Sequence, residues 1–328
     1  MKKSLVLVLC GVLIGSTVTF AAGKIFPDVP ADSFYADAVA NLSEKGIING
    51  YPDGTFGPGN NVNRAELAVI LDRMLEYTET GKVTSAPTVT PSVSASWYKP
   101  EPGISWQWQL GGTINTSYDV DLYDVDLVDT PQTKIDTIHG KGAKVICYFS
   151  AGTWENYRDD ADEFPEGVIG ETLEDWPDEK WLDVSNYDEF SDIMEARLDL
   201  AVEKDCDGVE PDNVDGYQNE SGFDLTSADQ LKYNKWLAAE AHARGLSVGL
   251  KNDLDQVSSL VGHFDFAVNE QCFEYEECDL LKPFTSANKA VLGVEYELEK
   301  DEFCDEANDL NFSWLKMDYD LDGGRDSC

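Results

Sequence analysis

The stretch "VEPDNVDGY", residues 209–217, ends a short apolar run and places Glu210, Asp212 and Asp215 within six positions. It is one of nine places where a short apolar run ends in a polar residue and a helical pattern follows. These runs span residues 106–110, 118–126, 144–150, 180–185, 207–213, 247–253, 266–271, 290–297 and 313–319. This alternation predicts an α/β fold, a parallel (β/α)8 TIM barrel over residues 97–328. Because eight strands close such a barrel, one run must lie outside it or extend a neighbour.

The polar residues that end these runs are expected to meet, because the carboxyl ends of barrel strands converge on the face where active sites are built. They are Trp108, Gln109, Asp124, Asp126, Tyr148, Ser150, Glu210, Asp212, Lys251, Asn252, Asn269, Glu270, Glu295 and Asp318. Such a set suits a sugar, because two carboxylates can divide the acid and the nucleophile or base roles while aromatic rings stack on the substrate. A hard cation such as Ca²⁺ or Mg²⁺ is the alternative ligand.

Five sequence blocks stand out around these ends: "YDVDLYD" (118–124), "KVICYFSAG" (144–152), "CDGVEPDNVDGYQNESGFDLT" (206–226), "VGLKND" (248–253) and "FAVNEQCFEYEEC" (266–278). Together they closely resemble glycoside hydrolase family GH114, the endo-α-1,4-polygalactosaminidases, from about Trp97 to at least Tyr296. The resemblance implies a TIM-barrel glycosidase that cuts α-1,4-linked galactosamine within a polymer chain. It also implies that the family's catalytic pair falls on Asp212 in "EPDN" and Glu270 in "NEQ".

The two positions are compatible with a catalytic pair, because a single run separates the strands that end at Asp212 and Glu270. We expect Asp212 to be the nucleophile and Glu270 the general acid/base of a retaining mechanism. A carboxyl separation of about 5–5.5 Å supports retention, and about 6.5–9.5 Å supports inversion. Glu210 is the alternative working carboxylate. Strand alternation can instead turn it toward the barrel core, where it needs a partner such as Lys251.

Other strand-end residues are candidates for binding substrate, although each alone also has a structural interpretation. Acidic side chains suit the ammonium groups of the substrate through charge-assisted hydrogen bonds. The acidic candidates are Asp124, Asp126, Glu210, Glu295 and Asp318. The candidates for stacking on sugar rings are Trp108, Tyr148 and Tyr217. The candidates for hydrogen bonds to sugar hydroxyls, or to the carboxylates themselves, are Lys251, Asn252 and Asn269.

The first 23 residues have two lysines, an apolar core and small residues at positions 21–23, which predicts a cleaved secretory signal. A retained membrane anchor is the alternative. Residues 26–77 predict two amphipathic helices around a turn-rich loop, with an N-terminal cap near Asn63 on the second helix. Residues 78–96, rich in Thr, Ser and Pro, predict an extended linker.

Three blocks between residues 24 and 77, "FPDV", "GIINGYPDGTFGP" and "NRAELAVIL", resemble an S-layer homology (SLH) domain, with Asn63 where the family commonly has Thr. The resemblance implies attachment to a secondary cell-wall polymer, with Arg64 on the anionic glycan and Gly46 and Gly50 shaping the adjoining loop. An ion pair between Arg64 and Glu66, or a contact with a helix end, is the structural alternative. A single copy predicts weak attachment, or assembly with other chains to gain avidity.

The chain has 63 acidic and 24 basic side chains, a net charge of −39. Such a field repels nucleic acid and anionic lipid and attracts cationic polymers. We therefore expect a cationic galactosamine-containing polysaccharide as partner, with no nucleic acid and no membrane once the signal is removed. An acidic surface that serves solubility alone is the competing explanation.

Six cysteines follow the predicted signal, an even number that predicts disulfides in an exported protein, with Cys272–Cys278 as the first pair. Only three histidines are present, which disfavours a zinc enzyme, a deacetylase and a Ser–His–Asp hydrolase. The tail has Asp318, Asp320, Asp322 and Gly323 at calcium-loop spacing, but the acid expected at the twelfth position would fall beyond Cys328. We therefore expect no metal and no cofactor.

These features predict a secreted glycoside hydrolase attached to the cell surface or wall. One alternative is a non-catalytic polysaccharide-binding or S-layer-associated wall protein. Another is a glycosidase for a different amino-sugar polymer or an α-galactoside.

Overall fold

The computed structural model describes residues 26–30, 33–50, 55–58, 64–83 and 97–328. The chain divides into two compact units, residues 1–94 and 95–328, and each is described by itself. The predicted signal at 1–23 lies outside the described residues. Residues 84–96 of the predicted linker lie outside them too, and a helix that ends at Thr80 occupies its first three residues.

The smaller unit contains the two helices expected from the sequence, α1 (Ala36–Glu44) and α2 (Arg64–Thr80). Its buried core consists of Phe26, Val29, Val39, Ile47 and Ile48. Gly46 and Gly50 have φ angles of +73° and +68°, a backbone region that favours glycine. A Cβ on Gly50 would lie 2.2 Å from the ring of Phe26, so steric crowding also requires glycine there.

The apolar stripe predicted for α2 is largely exposed within the described part of the smaller unit. Leu67, Val69, Leu71 and Met74 are between 42% and 51% exposed, and Ile70 packs against the core. The predicted cap at Asn63 and the side chains of Arg64 and Glu66 lie outside the described residues.

The larger unit is built on strands and helices that alternate along the chain. Its strands are β1 (Trp106–Gln109), β2 (Leu122–Asp126), β3 (Lys144–Ser150), β4 (Thr153–Glu155), β5 (Ile169–Thr172), β6 (Glu179–Leu182), β7 (Gly208–Asp212), β8 (Ser247–Lys251), β9 (Phe266–Glu270), β10 (Val291–Glu295), β11 (Ser313–Lys316) and β12 (Asp326–Ser327). Its helices are α3 (Gln132–His139), α4 (Ser191–Glu203), α5 (Ser227–Ala243), α6 (Val257–Leu260), α7 (Lys282–Ser286) and α8 (Lys300–Asp309). Short 3-10 helices span Ala161–Glu163, Glu166–Val168, Val184–Glu189, Gly216–Gln218, Leu254–Gln256 and Cys278–Leu281.

Eight strands form the curved parallel sheet of the predicted TIM-type fold. The order is β1-β2-β3-β7-β8-β9-β10-β11, and β12 adds to β11 in antiparallel orientation. The ninth apolar run, 180–185, lies outside this sheet, because its first residues belong to β6 in a separate antiparallel sheet ordered β4-β6-β5. That small sheet is inserted between β3 and β7.

Side chains alternate between the inside of the curved sheet and the helical layer, as the period of two in a strand requires. In β2, Tyr123 and Val125 pack in the large core cluster on the helical side, and Leu122 packs in the second cluster inside. Asp124 therefore faces the interior. By the same alternation Gly208, Glu210 and Asp212 of β7 share one side, opposite Val209.

The two ends of the parallel sheet are joined through the segment that follows β11. The Leu321 carbonyl accepts hydrogen bonds from the backbone N–H groups of Leu110 (3.1 Å) and Gly111 (3.2 Å), next to β1. The Asp322 carbonyl accepts a bond from Nε2 of Gln109 at 2.9 Å. Because β12 occupies the free edge of β11, residues 320–328 fill the seam between the last and first parallel strands.

Three disulfides link the six cysteines of the larger unit. They join Cys147 to Cys206, Cys272 to Cys278, and Cys304 to Cys328. The predicted local pair Cys272–Cys278 is confirmed. The third disulfide ties the residue after β12 to α8.

Candidate active site

An open groove of about 1050 Å³ lies at the carboxyl ends of the parallel strands. The sequence-predicted residues that line it are Trp108, Asp126, Tyr148, Asp212, Lys251, Asn252, Asn269 and Glu270. Asp212 is the last residue of β7 and Glu270 the last of β9. The two carboxylates therefore open onto the same space.

Lys251, the last residue of β8, lies between the two carboxylates. Its Nζ is 3.1 Å from Oδ1 of Asp212 and 3.3 Å from Oε2 of Glu270. Burial acts to lower the pKa of Lys251, but Asp212, Glu210 and Glu270 outweigh it and raise this pKa well above its ordinary value. The lysine is therefore a fixed ammonium group at the base of the groove.

Asp212 accepts hydrogen bonds on both carboxylate oxygens. The hydroxyl of Tyr148 donates to Oδ2 at 3.0 Å, and the backbone N–H of Asn213 donates to Oδ1 at 2.7 Å. With the Lys251 contact, donors on β3 and β8 and one directly after β7 hold the orientation of this side chain. Burial and then the charge of Asp212 raise the pKa of Tyr148 well above its ordinary value, so its hydroxyl keeps its proton.

Glu270 is held by donors on the other side of the groove. The hydroxyl of Tyr296 donates to its Oε1 at 2.5 Å, and Lys251 contacts the other oxygen. The backbone N–H of Glu270 donates to Oδ1 of Asn252 at 3.0 Å, and Nδ2 of Asn269 donates to the same oxygen at 3.2 Å. Asn252 and Asn269 thus brace the strand ends.

The backbone turns in the same way after three neighbouring strands. Asn213, Asn252 and Gln271 follow β7, β8 and β9 directly, and their φ angles are 60°, 46° and 66°. Non-glycine residues adopt this left-handed conformation at a cost, and such residues are common at active sites. Each turn carries the chain away from the groove directly after Asp212, Lys251 or Glu270.

A second carboxyl pair lies beneath Lys251. Asp124 and Glu210 are each 0% exposed, and Oε1 of Glu210 is 3.1 Å from Nζ of Lys251. Burial raises the pKa of both carboxyls, and repulsion from Glu210 adds to the effect on Asp124. Neither residue lines the groove, so the structure does not bring these two predicted substrate-binding residues to it.

Three other predicted substrate-binding residues also lie away from the groove. Glu295 of β10 is 0% exposed and accepts bonds from the Phe273 N–H and Trp314 Nε1, because alternation turns it opposite to Leu292 and Val294. Asp318 is exposed outside the lining, since it follows the end of β11. Tyr217 lies in a 3-10 helix, and its hydroxyl accepts a bond from Gln218.

Asp126 does line the groove but already has a cationic partner. Its Oδ2 lies 2.7 Å from Nη2 of Arg158, and both side chains are under 10% exposed.

Gln109 binds backbone carbonyls of the seam, and Ser150 accepts a hydrogen bond from Asn213 Nδ2 at 3.0 Å. These two strand-end residues therefore support the architecture rather than the groove.

Aromatic residues on the groove rim were missed in the sequence, because they lie in loops and not at strand ends. Tyr157, Trp176, Tyr275 and Tyr319 line the groove and are between 55% and 61% exposed. Tyr296 is stacked on Tyr319 with ring centroids 4.2 Å apart. Exposed rings along an open groove provide stacking faces for sugars.

Additional carboxyls line the groove with raised pKa values. Burial and then Asp215 raise the pKa of Asp253 to about 8, and burial and then Asp212 raise that of Asp215 to about 6. Burial and the neighbouring Glu155 raise the pKa of Glu179 to about 7, against a hydrogen bond from Thr153 that lowers it. Among the residues that the structure describes, no group of three His, Cys, Asp or Glu side chains is placed to hold a metal ion.

Within the described ranges, no helix combines the length and the apolar character that crossing a bilayer demands. Comparison with known families and proteins gives two separate matches. Residues 86–328 match the model of glycoside hydrolase family GH114, and residues 25–68 match the model of the S-layer homology domain.

Among solved structures, the crystal structure of Aspergillus fumigatus Ega3 in complex with galactosamine is 42% identical, with a TM-score of 0.68. The match covers 70% of this chain and 97% of that one. The glycoside hydrolase domain of PelA from Pseudomonas aeruginosa has a TM-score of 0.56 at 12% identity, over 68% of this chain and 97% of that chain, which supports the fold alone.

Curated relatives match the N-terminal part of the chain. An S-layer protein of Bacillus licheniformis is 51% identical over 55 residues, which are 17% of this chain and 6% of that protein. The outer membrane protein SlpA of Thermus thermophilus is 42% identical over 79 residues, 24% of this chain and 8% of that protein. The chain thus spans less than a tenth of the length of these relatives.

Proposed function

The chain belongs to glycoside hydrolase family GH114, and from that premise we propose that it cleaves α-1,4-linked galactosamine polymers internally while its SLH domain holds it at the cell surface. One observation carries the enzymatic part of the proposal. Asp212 and Glu270 end two strands in an open groove, and Lys251 contacts both. The 42% identity to a protein crystallised with galactosamine supports the choice of sugar.

The spacing of the pair supports a retaining mechanism. Oδ1 of Asp212 and Oε2 of Glu270 cannot be farther apart than their two distances to Lys251 Nζ combined, about 6.4 Å, which is below the range of about 6.5–9.5 Å for inverting enzymes. An inverting enzyme needs room for a water between its carboxylates and the sugar.

In the proposed first step, Asp212 attacks the anomeric carbon and the glycosidic C–O bond breaks. Glu270 donates its proton to the leaving oxygen, so a glycosyl ester forms on Asp212. In the second step, Glu270 takes a proton from water, the water oxygen bonds to the anomeric carbon, and the ester bond to Asp212 breaks. Tyr148 and the Asn213 N–H hold Asp212 in position throughout.

The groove supplies a reason for a cationic substrate. Its lining includes Asp175, Glu179, Asp215, Asp255 and Glu277 besides the central pair. These carboxylates attract ammonium groups along a polymer, and exposed rings such as Trp176 stack on its sugars. The overall charge of −39 favours the approach of the same polymer.

The test is to incubate the purified chain with partially deacetylated galactosaminogalactan and, in parallel, with chitosan. Short galactosamine oligomers from the first polymer alone support the proposal. Asp212→Asn and Glu270→Gln should each lower kcat by at least about 10³-fold with the fold intact. Binding without cleavage would favour the wall-protein alternative, and cleavage of both polymers would favour a broader glycosidase.

Attachment is tested in the same preparation by sedimentation with purified cell-wall polymer. The full chain should sediment with the polymer, and a variant that lacks residues 24–77 should stay in solution while it keeps its hydrolytic rate. Arg64→Ala is expected to weaken sedimentation, because the family resemblance assigns this residue to the anionic glycan. Equal sedimentation with and without residues 24–77 would contradict attachment through the SLH domain.

A further inference from the structure

The buried carboxyls Asp124 and Glu210 have no role in the reaction proposed above, yet they lie directly under the lysine that joins its two carboxylates. Glu210 is two residues before Asp212 on β7, and it faces the inside of the barrel. Lys251 contacts Glu210 and Asp212 at the same distance, 3.1 Å. The ammonium group is therefore shared between a groove carboxylate and a buried one.

The groups around Glu210 leave the ammonium group of Lys251 as its cationic partner. Six ionisable groups face it: Asp124 on β2, Tyr148 on β3, Asp212 on its own strand, Lys251 on β8, Glu270 on β9, and Tyr296 after β10. Lys251 is the cation among them. Apart from Lys251, the oxygens of Asp124 and Glu210 have no hydrogen-bond donor among the described residues unless one carboxyl carries a proton.

Two adjacent buried carboxyls are stable when they share one proton. Near neutral pH the pair then has one negative charge. That charge attracts the ammonium group of Lys251 toward the barrel interior and away from the groove. Burial raises the pKa of both groups, which agrees with a retained proton.

On this geometry, and on the proposed hydrolysis, we infer that Glu210 is a positioning residue. Together with Asp124 it fixes Lys251 between Asp212 and Glu270 and sets the pH range in which the two groove carboxylates work. Glu210 does not touch substrate. It acts through the ammonium group of Lys251.

The inference predicts a one-sided change in the pH profile of Glu210→Gln. At low pH the wild-type carboxyl holds a proton, so glutamine resembles it and the acidic limb of kcat/KM should move little. At high pH the wild-type carboxyl is negative and helps the general acid to keep its proton. The variant lacks that charge, so its basic limb should move down by at least about 0.5 pH unit. We expect kcat to fall about 10- to 100-fold and KM to change less than about threefold.

The matched control is Glu295→Gln, because Glu295 is also a fully buried strand-end glutamate but bonds to Phe273 and Trp314 instead of Lys251. Whatever its effect on stability, this control should leave both limbs in place. A slower Glu210→Gln enzyme with an unmoved basic limb, or an equal shift in the control, would overturn the inference.

A second variant tests the inference in case the Glu210→Gln protein does not fold. Asp124→Leu removes the hydrogen bond that lowers the pKa of Glu210, so Glu210 keeps its proton to higher pH and the basic limb should move down, as in Glu210→Gln. Unmoved limbs would again overturn the inference.

A further readout does not depend on activity, which separates this inference from the proposed function. Because the folded state binds the Glu210 proton more tightly than the unfolded state, wild-type stability falls as pH rises through the folded pKa. The difference in Tm between Glu210→Gln and wild type should therefore increase from pH 5 to pH 9. If no polymer is cleaved but this trend is present, the proposed function fails and the shared proton stands. A flat difference rejects the shared proton.

Discussion

At the residue scale, Lys251 connects the groups on which the proposed reaction depends. It is 2% exposed, lies 4.8 Å from the ring of Trp108, and has carboxylate partners on three sides. A buried charge of this kind is stable because its partners are fixed, and removal of one member leaves the others uncompensated.

We predict that Lys251→Met, which keeps the length of the side chain but not its charge, lowers kcat at least about 100-fold. It should also destabilise the fold by about 3–5 kcal/mol at pH 8, because buried carboxylates lose their cation. At pH 5 the loss should be smaller, since protonated carboxyls need no cation. Urea unfolding at both pH values and single-turnover kinetics measure these effects.

The control is Lys316→Met, because Lys316 ends β11 and its Nζ bonds to the carbonyl of Leu298 at 2.7 Å rather than to the central carboxylates. Its penalty should be similar at the two pH values. A penalty for Lys251→Met that does not depend on pH would contradict the role assigned to the ammonium group.

The chemistry at this scale could be predicted only in part from the sequence. Asp212, Glu270, Lys251 and Tyr148 were all expected at strand ends, and the structure brings them together. Glu295 was expected there too and is turned away, because a register difference of one residue moves a side chain to the other face. A single sequence identifies a strand more readily than it shows which of the strand's side chains face the inside of the barrel.

At the scale of elements, the small sheet β4-β6-β5 forms one wall of the groove. The insertion that carries it supplies Tyr157, Leu173, Trp176 and Glu179 to the lining. Trp176 is 60% exposed. The position and exposure of this tryptophan favour a role in holding a sugar unit near the central pair.

We therefore predict that Trp176→Ala raises KM by about 3- to 10-fold with kcat nearly unchanged, since a stacked ring contributes about 0.5–1.5 kcal/mol. Trp176→Phe keeps a ring and should restore most of the affinity. Initial rates over a range of polymer concentrations separate the two constants. A fall in kcat at constant KM would mean that Trp176 supports the fold of the wall instead.

The eight barrel strands could be predicted because each is a compact apolar run with a polar end. The inserted sheet could not be distinguished from them, since the run "KWLDVS" has the same local pattern. The difference lies in its partners, because β6 pairs with β4 and β5 in antiparallel orientation. Pairing is a property of the folded chain and is not contained in one short stretch.

At the scale of the whole molecule, several buried carboxyls predict that the protein is most stable in mild acid. The pKa is raised by burial to about 8 in Asp253, about 7 in Glu179 and Glu295, and about 6 in Asp215. The ordinary values are about 4, so the folded state binds these protons more tightly than the unfolded state. This contribution is complete below about pH 4 and is lost as pH rises through about 6 to 8.

Groups with lowered pKa act in the opposite direction but at lower pH. Burial acts to raise the pKa of Asp160 and Asp265, but hydrogen bonds from Arg197 and His242 outweigh it and lower both values. Their stabilisation is lost only as pH falls through these lowered values. We expect Tm at pH 5.5 to exceed Tm at pH 8.5 by at least about 5 °C. Thermal unfolding in 0.5 M NaCl measures Tm while the salt screens the surface charge. A Tm that does not change with pH under these conditions would exclude the buried carboxyls as the cause of the pH dependence.

The seam filled by residues 320–328 has a consequence for how the larger unit folds. The hydrogen bond from Gln107 to the Gly323 carbonyl spans 216 residues, so β1 completes its contacts only after nearly all of the domain has been synthesised. Ordering so long a loop carries a large entropic cost, and contacts of high sequence separation form slowly. During synthesis the sheet of the larger unit therefore stays unjoined until residues close to the end of the domain have left the ribosome.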